Sequence, residues 1–183
     1  FKKFVAEFKP SYDKNLIDND PRLVIPFRDS EGNVFAVQGR SLNGNKVRYI
    51  TIKLNDSDDK VFGIDRLDRK EKIYVTEGPI DSLFLENAVA TADSNLGAAK
   101  FLGKDNMVLV YDNEPRNPQI VKQIQKSIED GFEICLFPES FKWKDINDAV
   151  LGGMTKPEIR RTIDSHTYLS LIHISEPTRP ERI

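Results

Sequence analysis

From Lys72 onward, short apolar runs alternate with helical patterns, and this constrains the fold more than any other feature of the chain. Ile73-Tyr74-Val75-Thr76 reads as a buried strand, followed by Glu77-Gly78-Pro79 and a helical stretch from Ile80 to Glu86. Ala88 to Thr91 reads as a second strand, Gly97 to Leu102 as a short helix and Met107 to Tyr111 as a third strand. Gln119 to Glu129 has Ile120, Ile124 and Ile128 four residues apart, the spacing of one helix face. Phe132 to Phe137 is a fourth strand, and two short helical stretches follow Asp145 and Pro157. Strands that are apolar throughout, with helices between them, require a parallel sheet flanked by helices on both faces.

The preceding segment has another character. Leu23-Val24-Ile25-Pro26-Phe27 and Val34-Phe35-Ala36-Val37 flank a Glu31-Gly32-Asn33 turn and read as a hairpin. A further β-prone run, Val47 to Leu54, precedes a polar loop at 55–60. The expected organisation is a small β-rich, α+β subdomain over residues 1–70 and an α/β domain over 71–168. Charge divides along the same line. Residues 1–72 hold 15 Lys and Arg against 12 Asp and Glu, whereas 73–168 hold 10 against 15. A basic part beside an acidic part suits a protein that grips a polyanion with one and divalent cations with the other. Chance variation in surface charge gives the same counts, so the placement of particular carboxylates has to decide.

The chain opens at Phe1 inside an amphipathic stretch, which is expected of a segment cut from a longer protein. Leu169 to Arg179 reads like the translation of a transposon-end sequencing adaptor, so residues 169–183 are expected to be a non-native tail. The single cysteine, Cys135, lies in an apolar run, as a buried core thiol would, and it excludes a disulfide framework. His173 goes with the tail and His166 is expected to be exposed, which leaves no histidine-based site. No apolar run approaches the roughly 18 residues of a membrane span. The expected setting is the cytoplasm.

Ligands in open parallel sheets bind beyond the carboxyl ends of the strands. Glu77 follows the first strand, Asp112 and Glu114 follow the third, and Asp145 and Asp148 come after the fourth. Acids far apart in sequence are thus expected at one sheet edge. Crowded carboxylates repel one another unless cations neutralise them, and Mg²⁺ takes a few carboxylates plus water and phosphate oxygens. Asp112-Asn113-Glu114 aims two carboxylates to one side, because alternate residues of an extended segment point the same way. Gly78 is expected to let the backbone turn closely, Pro79 to open the next helix and Asp81 to lie in its first turn. Taken singly, each piece has a plainer reading. Asp-x-Glu after a strand is most often a solvated loop, and Asp145 could simply cap a helix.

These residues resemble a known family. Val75 to Asp81 is similar to the glutamate motif of Toprim domains, and Val110-Tyr111-Asp112-Asn113-Glu114 to their paired-acid motif. Lys144-Asp145-Ile146-Asn147-Asp148-Ala149 resembles a later segment of phage and mitochondrial-type primase-helicases, and Asn95 to Ala99 a turn between the first two motifs. Glu114 is one methylene longer than the usual Asp, and Ala98 stands where Thr is usual. Arg22-Leu23-Val24-Ile25-Pro26-Phe27-Arg28-Asp29, then Gly32 and Gln38-Gly39-Arg40, resembles the basic subdomain before the Toprim domain of primases. Phage DNA primases of the T4 type look most similar, over roughly residues 20–155.

The resemblance implies a Toprim domain preceded by part of a basic subdomain, and synthesis of short RNA primers on single-stranded DNA by nucleotidyl transfer. Glu77, Asp112 and Glu114 would be catalytic. Together with Asp145 and Asp148 they would hold Mg²⁺ or Mn²⁺, supported by Gly78 and Asp81. Arg22, Arg28, Arg40, Arg48 and Lys53 would meet template or triphosphate. Zinc would belong only to an amino-terminal module outside this segment. The implied partners are single-stranded DNA, ribonucleoside triphosphates and a replicative helicase. Two alternatives stay open, a Toprim nuclease using the same metals and a Toprim module that binds DNA without catalysis.

Overall fold

The computed structural model describes residues 20–169, apart from 45, 55–59 and 93–94, together with Val5 and Glu7. All of the adaptor-like tail beyond Leu169 lies outside the described residues. The chain divides into two compact units between Leu67 and Asp68.

The first unit is an antiparallel sheet of β1 (Arg22–Arg28), β2 (Val34–Ser41) and β3 (Tyr49–Lys53), in that order. The hairpin turn forms where expected. Asp29 accepts the amides of Glu31 and Asn33, both at 2.9 Å, and Gly32 adopts φ +88°, which a residue without Cβ tolerates. Phe27 packs edge-on against Phe35 and Phe62. Ile50 and Ile52 pack with Val5.

The second unit is a five-stranded sheet ordered β5-β4-β6-β7-β8, comprising β4 (Ile73–Thr76), β5 (Ala88–Ala90), β6 (Met107–Val110), β7 (Glu133–Cys135) and β8 (Thr167–Tyr168). Every residue of β4, β5 and β6 is buried, as helices on both faces require. The helices are α1 (Pro79–Ser82), α2 (Pro118–Glu129), α3 (Ile146–Leu151) and α4 (Lys156–Ser165). Tyr74, Val108, Val110 and Cys135 form one core with Ile146 and Ala149 of α3 and Ile159 and Ile163 of α4. On the sheet's other side, α2 packs on β7, and a 3₁₀ turn over Leu96–Leu102 packs on β4 and β6.

Four details depart from the sequence reading. The sheet is mixed, because β8 returns antiparallel to β7 through Ile134 and Cys135. The helix after Pro79 ends at Ser82, not Glu86. There the Ser82 hydroxyl donates to the Pro79 carbonyl at 2.7 Å, and the amides of Leu83, Phe84 and Leu85 bond three residues back, a tighter winding than an α-helix. The fourth strand covers only Glu133–Cys135. His166 is half-buried rather than exposed, its Nδ1 2.8 Å from the Thr162 carbonyl oxygen at the end of α4. Among the described residues, no helix is long and apolar enough to cross a membrane.

Candidate active site

Parallel register aligns Thr76 of β4 with Val110 of β6, so the residues that follow these strands emerge side by side. Glu77 and Asp112 consequently meet, the Asp112 amide donating to Glu77 Oε1 at 3.3 Å. Asp112 and Glu114 face the same side, with the Lys144 ammonium 3.4 Å from Asp112 Oδ2 and 3.5 Å from Glu114 Oε1. Asn113 points the other way. Its side chain donates to the carbonyls of Phe141 (2.9 Å) and Trp143 (3.1 Å), and its amide donates to the Lys144 carbonyl at 2.6 Å. The paired-acid loop is thereby bonded to the segment leading into α3. Asn117 donates to Glu114 Oε2 at 3.1 Å while capping α2.

Asp81 is turned back toward this edge. It accepts the Asn147 amide at 2.9 Å and, with Thr76, Asp112 and Asp145, lines a small cleft. Gly78 is extended at φ −100°, so the expected close turn is not its reason for being glycine. A Cβ there would lie 2.6 Å from Asp81 Oδ2, so a side chain at this position would force that carboxylate to shift. Asp145 is the N-cap of α3, accepting the Asp148 amide at 2.7 Å. Its charge still acts on Asp81 and Asp112. Asp148 lies half-buried in the first turn of α3 and does not figure among the charges acting on those acids.

The electrostatics follow from burial and crowding. Burial, then the neighbouring Asp112 and Glu114, push the Glu77 carboxyl up to about 7, against the Asp112 amide and Lys144. Burial pushes Asp81 up to about 6, with Asp145 and Asp112 adding to it and the Asn147 amide opposing. Asp112 is also raised by burial, although Lys144 works against the shift. Burial disfavours the Lys144 ammonium, yet Asp112 and Glu114 outweigh it and hold the group above its ordinary value.

Among the described residues, no three His, Cys, Asp or Glu side chains are drawn together closely enough to enclose a metal ion. The donor chemistry nonetheless fits a hard divalent cation. Oxygen donors alone converge, two carboxylates already share one cation, and three acids are held above their ordinary range by burial, with neighbouring carboxylates adding to it. Lys144 stands inside the Lys-Asp-Ile-Asn-Asp motif, but the sequence marks no role for it. Its position directly before Asp145 was the available signal.

The basic candidates of the first unit do not behave alike. Arg22 is consumed inside its own unit, contrary to a role at phosphate. Its side chain is fully buried, pairs with Asp20 at 2.6 Å and donates to the carbonyls of Gly39 and Val47. Arg28 donates to the Gly32 carbonyl across the hairpin at 2.7 Å. Arg40 lies opposite Tyr49 in register, its guanidinium 5.7 Å from the ring centre. Lys53 pairs with Ala36, which sets it on the same sheet face as Arg40, and Arg48 is exposed.

The fold is that of a primase catalytic core. The zinc-binding and RNA polymerase domains of the Aquifex aeolicus primase superpose with a TM-score of 0.59 at 25% identity, covering 83% of this chain and 44% of that one. The DnaG primase catalytic domain bound to single-stranded DNA gives 0.65 at 18% identity, covering 95% and 66%. In sequence, the chain is 37% identical over 158 residues to the DNA primase of Enterobacteria phage T4. Over this stretch it is similar to a phage-type DNA primase. The match takes in 85% of this chain and 46% of that protein, so the chain spans about half the length of the curated relative. No family model matches it.

Proposed function

We propose that this chain carries the nucleotidyl-transfer centre of a primase that makes short RNA primers on single-stranded DNA, with Glu77, Asp112 and Glu114 as its metal-holding acids. The observation that carries this reading is the meeting of Glu77 with the Asp112–Glu114 pair beyond the carboxyl ends of the parallel strands β4 and β6. Residues 1–70 are assigned to a partial basic subdomain and 71–168 to the Toprim domain. The reaction joins a ribonucleotide 3′-hydroxyl to the α-phosphate of the next ribonucleoside triphosphate, with pyrophosphate leaving. Mg²⁺ or Mn²⁺ bound by the three acids would neutralise phosphate charge and lower the pKa of the attacking hydroxyl. Glu77 is proposed as a further ligand of that ion or as the acceptor of the hydroxyl proton. Asp81 and Asp145 line the cleft beside Asp112 and are proposed, with Asp148, to support a second ion or to orient water.

Arg28, Arg40, Arg48 and Lys53 are proposed for phosphate contacts, and Arg22 is not. A replicative helicase is the proposed partner and the host cytoplasm the setting. The test is ribonucleotide incorporation on single-stranded DNA by the protein of the complete gene in Mg²⁺, comparing wild type with Asp112→Asn. Primers from wild type alone are expected. Nicked DNA without primers would replace this reading with the nuclease, and binding without either product would replace it with a non-catalytic module.

A further inference from the structure

Lys144 is placed by more than its own side chain. Its carbonyl accepts the Asn113 amide at 2.6 Å, and Asn113 also binds the carbonyls of Phe141 and Trp143. Three hydrogen bonds, one of them to Lys144 itself, therefore hold the 141–144 backbone against the loop that carries Asp112 and Glu114. From there its ammonium reaches both carboxylates, at 3.4 and 3.5 Å. The side chain is 48% exposed, so it has room to swing into solvent without breaking any of those backbone bonds. Two like charges on alternate residues repel, and a cation between them keeps them side by side. A divalent ion needs the same oxygen atoms, and a lysine is a compact point charge that must vacate them.

We propose that Lys144 is a displaceable counter-ion: its ammonium holds Asp112 and Glu114 together in the metal-free site and is driven off both carboxylates when a divalent cation binds. This rests on the reading of those acids as metal ligands. Lys144 is then a positioning residue that competes with the metal. It keeps the empty site arranged and weakens its affinity for the ion.

The experiment is Mn²⁺ binding to the full chain, followed by calorimetry and by the loss of the free-ion electron paramagnetic resonance signal. Lys144→Met should bind Mn²⁺ roughly three- to tenfold more tightly than wild type, the range expected when a partly exposed ionic competitor is removed. Lys144→Arg, which keeps the charge, should stay near wild type, and Asp112→Asn should lose binding. Unchanged or weaker binding by Lys144→Met would overturn the counter-ion role while leaving the metal site standing. Binding that Asp112→Asn does not alter, or no binding by wild type, would overturn the metal reading and this inference with it. Should Lys144→Met fail to fold, the wild-type chain supplies the second measurement. Acylation of Lys144, read by peptide mass spectrometry, should rise several-fold with Mn²⁺ while the neighbouring exposed Lys142 stays constant. Equal rates at Lys144 with and without Mn²⁺ would overturn the proposal.

Discussion

Asp81 accepts the backbone amide of Asn147 at 2.9 Å, joining the turn after Glu77 to the start of α3 across 66 residues of sequence. Removing the acceptor with Asp81→Ala should cost about 1–3 kcal/mol, because the half-buried amide loses its partner. Asp81→Asn keeps an acceptor and removes a charge that burial disfavours, so stability above about pH 6 should be unchanged or higher. Gly78→Ala forces the same carboxylate aside, so its cost and that of Asp81→Ala should be less than additive in a double-mutant cycle followed by urea unfolding.

Glu77 makes the metal-free fold sensitive to pH. Its folded pKa, about 7, lies above the ordinary 4.5, so in that interval the folded state holds a proton the unfolded state has released. Stability from this group is therefore complete below about 4.5 and is lost as pH rises through about 7. Thermal melts of the metal-free chain should fall across this window. Asp112→Asn, which removes the neighbouring charge, should flatten the fall, and Mg²⁺ should recover stability at the alkaline end. A profile that rises with pH would contradict the assignment.

Asn113 spends its side chain on two carbonyls rather than on the acid group. Asn113→Ala should cost about 1–3 kcal/mol by leaving them unpaired. Because one of those carbonyls is Trp143's, tryptophan emission should change in the native state as well as on unfolding.

Gly152 is needed for a different reason from the turn glycines. A Cβ there would fall on the Trp143 indole, 2.7 Å from Cε2, so the ring would have to leave its place against Phe141. Gly152→Ala should destabilise by about 1–3 kcal/mol through overpacking, read as an earlier urea midpoint and a shifted tryptophan spectrum.

Arginines 22 and 48 should separate cleanly. Arg22→Ala removes the guanidinium 2.6 Å from the buried Asp20 carboxylate together with its bonds to the Gly39 and Val47 carbonyls, and should lower stability by about 1–3 kcal/mol, read as an earlier urea midpoint. Arg48→Ala should leave stability within about 0.5 kcal/mol. On the proposed reading, it should weaken binding to single-stranded DNA and lessen its salt dependence.

Much of the architecture was readable from local pattern. Ile73–Thr76 and Met107–Val110 are buried throughout because both sheet faces are covered, and Glu31-Gly32-Asn33 marks the hairpin turn locally. The shortening of α1 was less visible, since the Ser82 hydroxyl can bond either to water or to the Pro79 carbonyl. The return of β8 was hidden for another reason. A two-residue strand carries no period, and only the docking of α4 delivers Thr167 to Cys135.

By itself, the sequence determined the order of strands and helices, and the presence of an acid just after each of two strands that later lie side by side. Periodicity and turn chemistry act over a few residues, and a linear string expresses them fully. Tertiary structure alone decided which acids meet and what else they touch. Glu77 reaches the Asp112 amide because β4 and β6 pair in parallel register. Lys144 stands between Asp112 and Glu114 because Asn113 binds three backbone groups of the 141–144 segment. Arg22 is lost to the phosphate candidates because Asp20 and the carbonyls of Gly39 and Val47 hold its guanidinium inside its own unit. These are distances between residues far apart in the chain, set by packing and hydrogen-bond satisfaction across the folded unit.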